Sequence, residues 1–145
     1  MEFSAFLLGG IVAYAMSEDR KTFLVPDWVS AFAWMVFAVF FSPGAHSLAA
    51  FLFGVSLFVK VSADRMKKGA VFGWADVMWL PLIFSSLTDM VGAPNAVFLF
   101  FISTVWAGIV ERIEKKGQPL IFFWGLGFLL GLVFESAMSF LSLFP

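Results

Sequence analysis

A chain of 145 residues that is 61% hydrophobic, with a mean hydropathy of +0.96, lies far above the roughly 45–50% apolar content of soluble domains and reads as an integral membrane protein. Its net charge of −1 gives no electrostatic footprint for nucleic acid, and its 21 Phe, 6 Trp and 1 Tyr lie largely inside apolar runs, where they suit lipid rather than stacked bases. The absence of cysteine removes disulfides, thiolate catalysis and cysteine-based zinc sites, and the lone histidine, His46, reads as a polar loop residue, so neither a metal nor a cofactor is expected.

In chain order the apolar runs predict six helices, at roughly 2–17, 27–43, 47–63, 70–89, 94–110 and 119–143. Several hold only about 15–18 residues, near the lower limit for a hydrocarbon core of about 30 Å. The opening residues Met1-Glu2-Phe3-Ser4 carry no basic segment, so the first run reads as a retained span and not as a cleaved signal. Pro26 suits a first helical turn, while Pro43-Gly44, Gly92-Ala93-Pro94 and Gly117-Gln118-Pro119 punctuate the connections. Short connections make successive helices antiparallel neighbours. The expected architecture is an all-α bundle of six transmembrane helices in a single domain, 1–145, in the cell membrane.

The nine basic residues fall in or beside three connections: Arg20 and Lys21; Lys60, Arg65, Lys67 and Lys68; Arg112, Lys115 and Lys116. These follow the first, third and fifth spans. The positive-inside rule therefore places those connections in the cytoplasm and both termini outside. Lys60, about one turn before the end of its span, reads as an anchor that snorkels to the interface. Gly127 and Gly131 form a Gly-x-x-x-Gly pair, a small surface on which another helix can pack.

Two acids need a chemical explanation, because a carboxylate at the edge of a bilayer is costly unless it is solvated, paired or used. Asp19 ends the first span. Asp76 lies about six residues into the fourth, on the order of 9 Å from its cytoplasmic end. If the first and fourth helices pack together, the two carboxylates face each other where water can reach. Such a pair shares a proton and titrates as a unit, with one member as acid and the other as base for an attacking water. Gly73, three residues before Asp76, leaves space for a substrate backbone or for another helix.

Asp19, six intervening residues, Pro26 and then Asp27-Trp28, together with Gly73-Trp74-Ala75-Asp76, resemble the two signatures of type IV prepilin and archaeal preflagellin peptidases. The motif order, the helix positions and the cytoplasmic placement fit that family over essentially the whole chain. The resemblance implies a membrane aspartic endopeptidase that removes short basic leaders from prepilin-like substrates, with Asp19 and Asp76 catalytic. Glu18 and Asp27 are then candidates to attract a basic leader, although Asp27 also suits the first turn of the second helix, where the helix dipole favours an acid. The chain departs from the family at Met78, where members often carry Lys, at Trp74, where they carry Gly, and at the sparse Pro content of Gln118-Pro119-Leu120-Ile121-Phe122. With no cysteine and no space for a methyl-donor domain, it resembles the compact, peptidase-only branch.

A second reading is a small proton- or ion-coupled transporter with Asp76, Asp89 and Glu135 as a polar path; against it stand the short chain and the lack of inverted repeats. Asp89 and Glu135 also fit polar contacts between the fourth and sixth helices, or with Ser136 and Ser139. A noncatalytic assembly subunit would leave the Asp19-to-Pro26 spacing as coincidence. Signal peptide peptidases and presenilins share a Gly-x-Gly-Asp element but match less well in span number and first motif.

Overall fold

Runs this uniformly apolar give little amphipathic contrast, so the inward face of each helix is set by which side chains recur at helical spacing and pack. The computed structural model describes residues 2–22, 24–65, 73–114 and 120–142, and among them there are six helices and no strand. They are α1 Glu2–Thr22, α2 Asp27–Phe40, α3 Pro43–Arg65, α4 Trp74–Val91, α5 Ala93–Glu114 and α6 Leu120–Leu141. Each expected run has its helix, with ends displaced by a few residues. Lys67, Lys68, Lys115, Lys116, the Gly117-Gln118-Pro119 turn and the expected span ends at 70–72 and 143 lie outside the described residues.

Three helices, α3, α6 and the Ala93–Val110 part of α5, are long and apolar enough to cross a membrane. The others fall short for identifiable reasons. The 14 residues of α2 rise only about 21 Å. The last turns of α1 are given to Glu18, Asp19, Arg20 and Lys21, and α4 carries Asp76 in its first turn. The outward faces of α3, α5 and α6 expose Phe51, Phe58, Phe98, Phe101 and Phe140, as lipid contact requires.

Helix starts follow local chemistry. Pro26 is extended at φ −57° and ψ 137°, and its carbonyl accepts the Val29 N–H at 2.9 Å, so α2 opens at Asp27. Pro43 does not sit in a turn between spans but opens α3, where a missing N–H costs nothing. Ser42 caps that helix by accepting the Ala45 N–H on Oγ at 3.2 Å. Gly92, at φ +80°, ends α4 in a conformation that suits glycine alone.

The centre of the bundle is α4, which packs on α2, α3, α5 and α6; α6 also lies along α1 and α5, and α2 lies along α1. Buried Ala5, Leu8, Val12 and Ala15 form one stripe of α1, and Asp19 continues it one turn further on. On α3 the stripe is Ala45, Ala49, Ser56 and Lys60. Trp79 of α4 donates its indole N–H to the Ser30 hydroxyl of α2 at 2.9 Å, and Trp124 of α6 donates to Thr104 of α5 at 3.2 Å. These bonds satisfy two buried indoles and fix helix rotation.

Gly127 and Gly131 both mark close helix approach. A Cβ on Gly127 would collide with the Ser103 hydroxyl and stand 3.3 Å from the Leu99 carbonyl oxygen of α5, while one on Gly131 would meet Leu87 of α4. Because a backbone carbonyl cannot rotate away, Gly127→Val is expected to push α5 from α6 and cost about 1–3 kcal/mol. Thermal denaturation in detergent checks this, with Leu130→Val on the exposed face of α6 as the neutral control.

Candidate active site

Asp19 is brought inward by the burial stripe of α1 and is only 5% exposed. Its Oδ2 accepts the backbone N–H of Phe122 at 3.0 Å, and the Ile121 amide also bonds it. Both amides belong to the first turn of α6, where backbone donors have no helical partner and an anion is favoured. The carboxylate therefore closes an open helix end contributed from more than a hundred residues away. Arg20, its neighbour, is directed elsewhere, with its guanidinium 5.2 Å from the Phe122 ring centroid.

Asp76 occupies the first turn of α4, about 3 Å along the axis from the start of the helix, and not the roughly six-residue depth expected from the apolar run. Its Oδ2 accepts the Gly73 N–H at 2.7 Å, an acid in the third helical position reaching back to the residue before the helix. One oxygen of Asp76 is thus held by backbone, which fixes the carboxylate and leaves a second oxygen for water. Gly73 lies against no neighbouring helix among the described residues: a Cβ there would touch only Asp76 Oδ2 at 3.4 Å and its own turn.

The two acids come together, but not by direct packing of their helices along their length. Both α1 and α4 lean on α6, whose N-terminal turn lies at the same end of the bundle. Asp19 stands beyond the apolar run 2–17, and burial pushes its carboxyl from 3.8 up to about 6; the Phe122 amide pulls the other way, and the negative charge of Asp76 adds to the rise. A helix-capping role accounts for each aspartate taken singly. It does not account for the negative charge of Asp76 adding to the proton affinity of Asp19.

The supporting acids are placed differently from one another. Glu18 pairs with Lys21 at 3.5 Å on the same helix, so much of its charge is met locally. Asp27 is exposed in the first turn of α2, where it complements the helix dipole and stays open to solvent. No group of three or more His, Asp or Glu residues among those described is arranged to hold a metal ion. His46 is not a loop residue but lies in the first turn of α3, with Nε2 3.2 Å from the Phe37 carbonyl oxygen and its ring edge-on to Phe37.

Asp89 sits about 20 Å along α4 from Asp76, and Glu135 is displaced by a similar length from the start of α6. Asp89 accepts the hydroxyl of Ser42, and also its backbone N–H at 3.3 Å, tying the end of α4 to the start of α3. Asp89→Asn keeps an acceptor for one of these bonds. It is expected to lower stability by about 1–2 kcal/mol while leaving any proteolysis within about threefold of wild type, checked by melting and cleavage on the same preparation.

Two contributors were not foreseen: the α6 amides that hold Asp19, and Lys60, whose ammonium acts on Asp76 from α3. The first left no local signal. The second was legible in the run of Ala45, Ala49, Ser56 and Lys60 at helical spacing, which turns Lys60 inward. In comparisons with known proteins, no family model, no curated protein and no solved structure matches the chain. The functional reading therefore rests on the residues of this chain.

Proposed function

We propose that the chain is a membrane-embedded aspartic endopeptidase that cuts short basic leaders from prepilin- or preflagellin-like substrates. The observation that carries the proposal is the meeting of Asp19 and Asp76 at one end of the bundle, with Asp76 adding to the proton affinity of Asp19. In this reading all six helices span the cell membrane, with tilt and local thinning accommodating the short ones. Both termini lie outside, and the dyad sits at the cytoplasmic face beside the basic connections. The substrate presents its leader there, just before its own apolar helix.

Hydrolysis by such a pair needs one protonated and one ionised carboxyl. Water is deprotonated by the ionised member as it attacks the scissile carbonyl, and the protonated member supplies the proton to the carbonyl oxygen. The open side at Gly73 admits an extended peptide, and exposed Asp27 attracts the basic leader. The transporter reading has less support, because Asp89 is engaged by Ser42 and is remote from Asp76 along α4.

The test is direct. The chain reconstituted in liposomes is incubated with a single-span substrate bearing a short basic leader, and products are read by mass spectrometry. Cleavage at one bond before the apolar helix is expected. Absence of cleavage across pH 4 to 8, with a correctly inserted protein and several leader sequences, contradicts the proposal.

A further inference from the structure

Lys60 is a buried cation that the dyad chemistry above does not use. A lysine that merely snorkels exposes its head to water, yet Lys60 is only 7% exposed. Its Nζ pairs with Asp64 Oδ1 at 2.7 Å and lies 5.7 Å from the centroid of the Trp74 ring. Asp64 is half exposed and one turn further along α3, so it meets one side of the ammonium and leaves another free. Trp74 lies two residues before Asp76 in the same helical turn, and its ring carries the ammonium to that turn. Burial raises the proton affinity of Asp76, and the Gly73 amide and then the Lys60 charge offset part of that rise, whereas the nearest cation to Asp19 in sequence, Arg20, is turned over Phe122.

The two carboxylates are therefore not equivalent. We propose that Lys60 is a positioning residue: held between Asp64 and the Trp74 ring, it serves as counter-ion to Asp76, so that Asp76 is the base of the pair and Asp19 carries the shared proton as the acid. Its consequence for cleavage rests on the peptidase reading; the charge arrangement itself does not. The described groups that bear on Asp76 are Asp19 from α1, Lys60 from α3 with Asp64 behind it, and the Gly73 amide of its own turn. Against Asp19, α6 sets backbone amides.

The assignment orders the proton transfers. Asp76 takes a proton from water as the water oxygen bonds to the scissile carbonyl carbon, and Asp19 gives its proton to the carbonyl oxygen, forming a neutral gem-diol. On collapse the carbon–nitrogen bond breaks, the departing nitrogen takes the proton held by Asp76, and Asp19 recovers a proton from one of the two hydroxyls. One water is consumed and the pair returns to its starting state. Lys60 moves no proton; it sets which carboxyl begins without one.

The experiment measures pH profiles of kcat/KM for the reconstituted full-length chain and its Lys60→Met, Lys60→Arg and Asp64→Asn variants. With Asp76 as base, the acidic limb reports its ionisation. Lys60→Met is expected to move that limb up by about one pH unit and to lower kcat more than it raises KM, with Lys60→Arg restoring most of the limb position. Asp64→Asn, a change at a half-exposed site, frees the ammonium for Asp76 and moves the limb down, and it decides the matter if Lys60→Met does not fold. An acidic limb unmoved in the folded variants overturns the proposal, including the case where Lys60→Met merely loses activity, since a packing role predicts that pattern. If the wild-type chain cleaves nothing, the peptidase reading fails and the counter-ion is tested by infrared titration of Asp76 in an Asp19→Asn background. There, an upward displacement of the Asp76 titration in Lys60→Met, or a downward one in Asp64→Asn, supports it, and identical titrations in the folded variants overturn it.

Discussion

If the chain is the proposed peptidase, Asp76→Asn and Asp19→Asn are each expected to reduce leader cleavage by at least about a thousandfold while the protein remains folded and inserted. General acid–base catalysis contributes typically 10²–10⁴-fold per group, and an amide can neither take a proton from water nor give one to a carbonyl oxygen. Both replacements are nearly isosteric and keep an oxygen that can accept the backbone amide now bound by Oδ2: Gly73 for residue 76 and Phe122 for residue 19. The expected pattern is thus loss of turnover without loss of structure. If both groups form one proton-sharing unit, the double variant is expected to be no worse than either single one. Additive losses, each multiplying the other, would show two independent roles in place of a dyad.

Asp19→Asn is also expected to stabilise the protein, and to do so only above a definite pH. The Asp19 carboxyl is raised from 3.8 to about 6, mainly by burial, so the folded state disfavours its ionised form. Well below its unfolded value of 3.8 the group is protonated whether the chain is folded or unfolded, and its full contribution to stability is present. As pH rises from 4 through 6 the unfolded chain ionises first, and wild-type stability falls; above 6 the loss is complete. The size of the shift corresponds to about 3 kcal/mol at neutral pH. Asparagine carries no charge at any of these pH values, so the variant is expected to melt higher than wild type at pH 8, with the difference vanishing well below pH 3.8. On the proposed reading, Asp19 would be an acid kept at a cost to the fold because the site needs it.

Much of this architecture was readable from composition and punctuation. Six apolar runs separated by Pro, Gly and charge give six helices, and the expected boundaries fall within a few residues of those observed. The errors have local causes. The helical periodicity of α1 does not stop where hydropathy does, so the helix continues through Glu18 to Thr22 and carries Asp19 inward with it. Pro43 was taken for a turn although proline is well suited to the first helical position, which is where it stands. Hydropathy over 70–89 placed Asp76 well inside a span, whereas α4 starts at Trp74 and puts the acid in its first turn.

The composition of the site was legible only in its acids. A carboxylate at a helix end stands out in an apolar chain, and motif spacing paired the two. The α6 amides could not be foreseen in this way, since every helix start has free N–H groups and only tertiary packing decides what fills them. Lys60 reads as an anchor because one lysine near a helix end usually is one, whereas the stripe of Ala45, Ala49 and Ser56 leading to it along α3 turns it inward. In both places the missing information was long-range: which helix face meets which neighbour.

On the proposed reading the side chains at positions 19 and 76 share one pocket. Since the chain has no cysteine, Asp19→Cys combined with Asp76→Cys introduces the only two thiols, and a disulfide or a short bis-thiosulfonate bridge between them reports their proximity without background. Exposure of membranes to mild oxidant or to the short bridging reagent, followed by protease cleavage between the two positions and electrophoresis under non-reducing conditions, is predicted to leave the halves joined. Halves that separate, although each thiol reacts readily with a monofunctional reagent, would contradict the account.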